Sequence, residues 1–120
     1  MRAMPVALMI VDDNARFRAR ARLRLEADGY VVVAEAADGA SALEAARLHR
    51  PEVVLLDVGL PDMSGISVAE RLMRDPDPPA VVLTSTHDAA DFGDRVTSCG
   101  ALGFVPKADL SGDAISALMP

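Results

Sequence analysis

One stretch constrains the fold of this chain more than any other: an apolar run that ends in a single acid and a turn. Val53 to Leu56 are all apolar, Asp57 follows, and Gly59 and Pro61 come directly afterwards. An unbroken apolar run of this length, with adjacent valines, is typical of a strand buried on both faces of a parallel sheet. It therefore predicts Asp57 at the carboxyl end of such a strand, where open α/β sheets bind ligands.

The rest of the chain alternates predicted strands with predicted helices. The strands are predicted over 6–11, 30–37, 52–56, 80–83 and 102–105, and the helices over 16–25, 40–49, 66–74, 88–99 and 109–118. Five repeated strand–helix units predict a doubly wound α/β fold, in which helices cover both faces of a five-stranded parallel sheet.

The first predicted helix has a competing interpretation, because residues 16–25 alternate arginine with apolar residues as a half-exposed strand would. The segment has no β-branched residue and is rich in good helix formers. Asp13 or Asn14 can cap a helix before it, and Asp28-Gly29 can end one after it. We therefore predict a helix, with Phe17, Ala21 and Leu25 as its buried stripe.

Length and composition narrow the class of protein. A chain of 120 residues suits one domain, here 1–120, and 51% hydrophobic residues can supply its core. The net charge of −6 disfavours direct binding to nucleic acid, which requires a basic face. Because Cys99 is the single cysteine and neither a signal peptide nor an apolar run of ~20 residues is present, we expect a cytoplasmic protein that is not inserted in a membrane.

Acidic side chains follow two of the predicted strands. Asp12 and Asp13 come after the first strand and Asp57 after the third. In the strand order 2-1-3-4-5, which is common in doubly wound sheets, the switch point lies between these two strands, so the three acids meet there. Carboxylates at close range repel each other and either take up protons or bind a cation. Mg²⁺ suits such a site, because it prefers oxygen ligands.

Two further polar residues predict more than metal binding. Thr84 follows the fourth strand, and Lys107, the one lysine among 12 basic residues, follows the fifth. A hydroxyl and a compact ammonium facing the acids suit a phosphoryl group carried on Asp57 as an acyl phosphate. Lysine and metal then offset the charge that develops during transfer.

These residues stand in motifs that resemble a known family. Asp12-Asp13, Leu56-Asp57-Val58-Gly59-Leu60-Pro61-Asp62-Met63-Ser64-Gly65, Val82-Leu83-Thr84 and Gly100-Ala101-Leu102-Gly103-Phe104-Val105-Pro106-Lys107 are similar, in order and along the whole chain, to the receiver domain of bacterial two-component response regulators. The resemblance implies a flavodoxin-like (βα)5 fold and a signalling switch that catalyses only its own phosphorylation and dephosphorylation. The partner it implies is a sensor histidine kinase that phosphorylates Asp57.

The resemblance also implies roles for single residues. Mg²⁺ would be bound by Asp13, Asp57 and the carbonyl oxygen of Gly59, with Asp12 acting largely through water. Thr84 would move toward the phosphoryl group while the aromatic Phe104 turns inward. The motif Gly-Phe-Val-Pro-Lys resembles that of the LuxR/NarL-type branch. Members of that branch usually carry a helix-turn-helix DNA-binding domain, which is absent from these residues. A homodimer formed on phosphorylation is a further possible partner. One departure is Ala108, where many receivers have a proline.

Other interpretations of the same residues stay open from sequence alone. A strand-terminal Asp often only caps a helix, and Phe104 is by frequency more often a core residue than a switch. An alternative function is a receiver fold that works by binding, without phosphorylation. A third is a Mg²⁺-dependent phosphohydrolase of the haloacid dehalogenase type, but there the nucleophile follows the first strand as Asp-x-Asp, whereas this chain has Asp12-Asp13-Asn14.

Overall fold

The computed structural model of the protein describes residues 5–86 and 92–120, and its centre is a parallel sheet of five strands. The strand order is β2-β1-β3-β4-β5, which confirms the predicted order 2-1-3-4-5 and the α/β fold class. Neighbouring strands are parallel at every pairing. The strands are β1 (Ala7–Val11), β2 (Val31–Ala36), β3 (Val53–Asp57), β4 (Ala80–Ser85) and β5 (Gly103–Pro106).

Helices follow the strands and cover both faces of the sheet. They are α1 (Ala15–Ala27), α2 (Gly39–His49), α3 (Gly65–Leu72), α4 (Arg95–Ser98) and α5 (Gly112–Ser116). Within the described residues, no helix is both long enough and apolar enough to cross a membrane.

Two apolar cores explain why the strands are apolar without interruption. Alternate residues of a strand point to opposite faces of the sheet. Leu8 and Ile10 of β1 accordingly join the core under α1 and α5, whereas Met9 and Val11 join the core under α2, α3 and α4. The five residues of β3 are all buried. A sheet covered on both sides therefore places its polar residues at the strand ends.

The structure confirms that residues 16–25 are helical. Phe17, Ala21 and Leu25 are the buried residues of α1, as the stripe predicts. Of the two possible caps, Asn14 is the N-cap, since its side chain accepts a hydrogen bond of 3.0 Å from the backbone N–H of Phe17. This cap fixes the position of Phe17 relative to the end of β1.

Only part of the helix predicted over 88–99 falls within the described residues, because residues 88–91, including Asp88, the expected N-cap, lie outside them. Gly93 has a φ of +60°, in the left-handed region, so a right-handed helix does not pass through it. The α4 helix is limited to the four residues Arg95–Ser98.

The last helix also differs from its predicted range of 109–118, because it spans only Gly112–Ser116. Lys107–Asp109 form a 3-10 turn, Leu110 is extended, and α5 begins only after Ser111, whose side chain accepts a hydrogen bond from the N–H of Ala114. A serine N-cap of this kind sets the first residue of a helix. The β5–α5 connection is therefore longer than the sequence pattern predicts, and it begins at Lys107.

Candidate functional site

Three carboxylates meet at the carboxyl edge of the sheet, and we call Asp12, Asp13 and Asp57 the acid cluster. Strands β1 and β3 are neighbours with Val11 opposite Leu56, so the residues that follow them come together. One oxygen from each of the three carboxylates lies within 4.8 Å of the others. Asp12 and Asp57 are buried, whereas Asp13 is exposed to solvent. The meeting of the three acids, predicted from strand order, is confirmed.

Lys107 reaches this cluster from the end of β5. Its Nζ lies 2.6 Å from Oδ2 of Asp12 and 3.7 Å from Oδ2 of Asp57. The first contact is an ion pair without the angles of a directed hydrogen bond. With three ionised carboxylates and one ammonium, the site has two negative charges in excess. An added cation would therefore be attracted.

Both carboxylate oxygens of Asp12 are engaged. Its Oδ1 accepts a hydrogen bond of 2.9 Å from the N–H of Asn14, while Oδ2 contacts Lys107. The guanidinium of Arg18 donates to the backbone carbonyl of Asp12 at 2.7 Å. The arginines of α1 alternate with apolar residues in the sequence, and nothing in the spacing of Arg18 indicated this contact. Asp12 is therefore held firmly from several sides.

The electrostatics of Asp57 differ from those of an ordinary surface acid. Burial raises the pKa of its carboxyl, and the negative charge of Asp12 raises that pKa further. Lys107 and a hydrogen bond of 3.3 Å from the N–H of Gly59 lower the pKa, but they do not offset the rise. Ionised Asp57 is consequently costly to the fold, because its folded-state pKa exceeds the unfolded one.

Thr84 lies inside β4 and not after it. The strand was predicted to end at residue 83, but it continues to Ser85 and pairs Thr84 with Asp57 in register. Thr84 is fully buried, and its hydroxyl donates a hydrogen bond of 2.6 Å to the carbonyl oxygen of Val105 in β5. The hydroxyl is thus bonded to the neighbouring strand on the far side from β3.

Two aromatic residues lie close to the site. The ring of Phe104 is half-buried, and its centroid is 6.1 Å from that of Phe92. Phe17 lies under Lys107, whose Nζ is 4.5 Å from the ring centroid. The sequence assigned Phe17 to the core alone, and the apolar stripe gave no signal of a contact with a residue 90 positions away.

The loop between β3 and α3 is fixed at both ends. The N–H of Gly65 donates to the carbonyl oxygen of Val58 at 2.8 Å. The carboxylate of Asp62 accepts hydrogen bonds from the N–H groups of Gly39 and Ala40, at 2.7 and 3.0 Å, and so caps α2. These bonds hold the pKa of Asp62 below its usual value. Asp62 stands in the sequence motif that follows Asp57, but nothing in the sequence pattern indicated these hydrogen bonds to α2.

We expect Asp62→Asn to lower the melting temperature near neutral pH, because the carboxylate binds two helix N–H groups that it does not meet in the unfolded chain. A carboxyl group whose folded-state pKa is depressed stabilises the fold at pH values above its unfolded-state pKa of about 4. That contribution is lost as the pH falls through the folded-state pKa. Thermal unfolding between neutral and acidic pH measures this. The parent and the variant should converge only once the pH has fallen below the folded-state pKa of Asp62, which lies below its usual value. Glu44→Gln, the same charge change on an exposed position of α2, is the control; an equal effect there would contradict the capping role.

The residues of the acid cluster fit a magnesium ion. They offer hard oxygen donors, an excess of negative charge and one solvent-exposed member, and Mg²⁺ usually retains several waters in its sites.

Among the described residues, no peptide bond is cis. This includes the bond before Ala108, the position where many receivers have a proline.

These features define a doubly wound α/β domain with an acidic site and a single lysine at its topological switch point. Residues 8–117 match the family described as the response regulator receiver domain, and the chain belongs to this family. The acid cluster is typical of the Mg²⁺ site of receivers.

Solved structures support the branch that the sequence resembles. The signal receiver domain of the response regulator NarL from Mycobacterium tuberculosis is 32% identical, with a TM-score of 0.86 over 96% of this chain and 97% of that one. A LuxR-family response regulator from Aurantimonas is 29% identical, with a TM-score of 0.82 over 95% and 82% of the two chains. The resemblance to NarL/LuxR-type receivers is confirmed.

Curated relatives are longer than this chain. Transcriptional regulatory protein PdtaR of Mycobacterium tuberculosis is 34% identical over 97% of this chain and 56% of its own length. A protein-glutamate methylesterase/protein-glutamine glutaminase of Alkalilimnicola ehrlichii is 40% identical over 92% of this chain and 29% of its own length. The chain spans about half of PdtaR and under a third of the methylesterase.

Proposed function

We propose that this receiver domain accepts a phosphoryl group on Asp57 from a histidine kinase and thereby switches an output surface. The observation that carries the proposal is the position of Asp57: a buried carboxylate with a raised pKa, 3.7 Å from the ammonium of Lys107 and beside two further acids. A carboxylate held this way is costly while ionised. Its conversion to an acyl phosphate moves the negative charge outward, toward lysine and solvent.

The reaction is a transfer between two protein side chains. A carboxylate oxygen of Asp57 attacks the phosphorus of a phosphohistidine whose other ring nitrogen carries a proton, and a P–O bond forms while the P–N bond breaks. The electron pair of the broken bond stays on the ring nitrogen, so the histidine leaves as a neutral imidazole. Lys107 neutralises a phosphoryl oxygen. When bound, Mg²⁺ supplies further charge neutralisation and orientation.

Mg²⁺ would be held by Asp13, Asp57 and the carbonyl oxygen of Gly59. Asp12 would act largely through water, which is supported by the engagement of both its oxygens with Asn14 and Lys107. The same engagement argues against a haloacid dehalogenase-type hydrolase, whose nucleophile follows the first strand, because Asp12 is fully buried and paired. Among the residues that the structure describes, no feature favours a receiver that works without phosphorylation.

An intact-mass experiment tests the proposal. Incubation with acetyl phosphate and Mg²⁺ should add the mass of one phosphoryl group to the parent, and Asp57→Asn should abolish that addition. In metal-free buffer the same variant should melt at a higher temperature, because it removes a carboxylate whose folded-state pKa is raised. The higher melting temperature shows that the variant is folded. A variant that still gains the phosphoryl mass would refute the assignment of Asp57.

The proposed switch begins at Thr84. Thr84 is paired in register with Asp57. A phosphoryl group on Asp57 would therefore offer the Thr84 hydroxyl a charged acceptor in place of the Val105 carbonyl. This exchange of acceptors removes the side-chain hydrogen bond between Thr84 and β5, the strand that carries Phe104, whose ring centroid lies 6.1 Å from that of Phe92. We propose that Phe104 then turns inward.

Amide hydrogen exchange should detect this coupling. Beryllofluoride with Mg²⁺, a phosphoryl mimic, should slow exchange in residues 92–99 and in β5, with little change in α1 beyond its first turn, because the ligand favours whichever arrangement contacts it. Thr84→Val keeps the β-branched shape and removes the donor, so it should retain the protection near Asp57 and lose the protection in β5. Equal responses of parent and variant would exclude Thr84 as the link.

We further propose that the domain is the input part of a longer response regulator, as in the relatives named as transcriptional regulators, and that any contact with DNA is made by an output domain. A homodimer formed on phosphorylation belongs to the same proposal. The coding sequence after Pro120 tests the first point, since a helix-turn-helix pattern there would establish the output.

A further inference from the structure

We propose that Phe17 is a positioning residue that holds the Lys107 ammonium at the acid cluster through the face of its ring. The inference rests on the proposed function, because the ammonium it positions is the one assigned to the phosphoryl group. Nothing in the sequence pattern separates Phe17 from an ordinary core residue of α1. Its contact with Lys107, at 4.5 Å from Nζ to the ring centroid, is what distinguishes it.

Four residues form a closed ring of contacts around one carboxylate. Oδ1 of Asp12 accepts from the N–H of Asn14, at 2.9 Å. The side chain of Asn14 accepts from the N–H of Phe17, at 3.0 Å. The ring of Phe17 faces Lys107, whose Nζ returns to Oδ2 of Asp12 at 2.6 Å. The start of α1 therefore fixes the aromatic ring and the acid relative to the same ammonium.

An aromatic face does more here than an apolar side chain of similar size. A cation within about 6 Å of a ring centroid is attracted by the ring quadrupole, and the attraction grows as the cation is desolvated. The Lys107 side chain is only 16% exposed. Phe17 and Lys107 both line a groove of about 480 Å³ between α1 and the β5–α5 connection, so the ring stands where the ammonium could otherwise turn toward solvent.

The ring would also determine how far the ammonium can move. Nζ is closer to Asp12 than to Asp57, 2.6 against 3.7 Å, so it must shift to meet a phosphoryl group on Asp57. A leucine in place of Phe17 would fill the core but would not attract the ammonium. We therefore expect Phe17→Leu to weaken the placement of Lys107 while leaving the fold intact.

A single NMR resonance reports on this contact. Lys107 is the only lysine of the chain, so ¹³C-lysine labelling gives one Cε–Hε signal without assignment. In the parent, the ring current of Phe17 should shift this signal upfield. Phe17→Leu should move it toward the value of a free lysine, and Phe17→Tyr, which keeps the aromatic face, should restore the upfield position. An unchanged signal in Phe17→Leu would overturn the proposal.

The phosphorylation rate tests the consequence. With acetyl phosphate and saturating Mg²⁺, Phe17→Leu should be about three- to tenfold slower than the parent, and Phe17→Tyr should recover most of the rate. Leu25→Val, a buried apolar change on the same helix that is remote from Lys107, controls for altered packing of α1. A parent rate in Phe17→Leu, or equal losses in Phe17→Leu and Leu25→Val, would overturn the positioning role. A parent that never gains phosphate would refute the proposed function, while the lysine resonance would still decide whether Phe17 holds Lys107.

Discussion

Replacing Lys107 with methionine is expected to destabilise the protein by about 3 kcal/mol in metal-free buffer, because removing one partner of a buried ion pair leaves the other charge uncompensated. Lys107 is the ammonium that contacts both buried acids, Asp12 and Asp57. Methionine has a similar length and no charge, so packing changes little. Urea unfolding of parent and variant measures the difference.

Adding magnesium distinguishes an effect of the lost charge from an effect of altered packing in Lys107→Met. An ion that binds the folded state stabilises it by mass action, and the variant has one more uncompensated negative charge at the site. Mg²⁺ should therefore raise the stability of Lys107→Met more than that of the parent.

Lys107→Arg keeps the charge and should retain most of the stability while phosphorylation is impaired, since its planar fork does not match a compact ammonium. Equal stabilities of parent and Lys107→Met without metal would contradict the ion pair.

Gly65→Ala is expected to cost about 3 kcal/mol and to slow phosphorylation, because a Cβ at this position would overlap backbone atoms. It would stand 2.1 Å from the carbonyl oxygen of Asp57 and 2.8 Å from Cα of Val58. Backbone at the end of β3 cannot move aside without displacing Asp57 itself. Urea unfolding and the phosphorylation rate measure the two effects.

Gly59→Ala is the matched control, since it lies in the same loop and its Cβ would have no atom within 4 Å. It should unfold at nearly the parent urea concentration. Its backbone carbonyl, proposed as a metal ligand, is retained in the variant. If Gly59→Ala and Gly65→Ala lose the same stability, the close packing of α3 against the end of β3 is not the cause.

The strands were predictable from short-range patterns, and the meeting of the acids followed once the strand order common in doubly wound sheets was assumed. Apolar runs buried on two faces leave polar residues only at strand ends, and strand order then brings Asp12 beside Asp57. The register that pairs Thr84 with Asp57 was not predicted, because Thr84 was placed after its strand. A β-branched threonine continues a strand as readily as it ends one.

Contacts between distant segments account for the remaining misses. The capping of α2 by Asp62 and the placement of Phe17 under Lys107 join residues that share no local pattern. The helix boundaries near Gly93 and Ser111 depended on single backbone conformations and caps, which a run of apolar residues does not reveal. The roles of the site residues stay predictions.

Chemical mapping of the phosphorylated residue tests the central claim most directly. Borohydride reduces an acyl phosphate on aspartate to the alcohol of homoserine, so peptide sequencing by mass spectrometry locates the acceptor. After incubation with acetyl phosphate and Mg²⁺, we expect homoserine at position 57 and not at positions 12 or 13. When Mg²⁺ is chelated, we expect no homoserine at position 57. Homoserine at position 12 or 13, or none at all under conditions that phosphorylate a control receiver, would contradict the account.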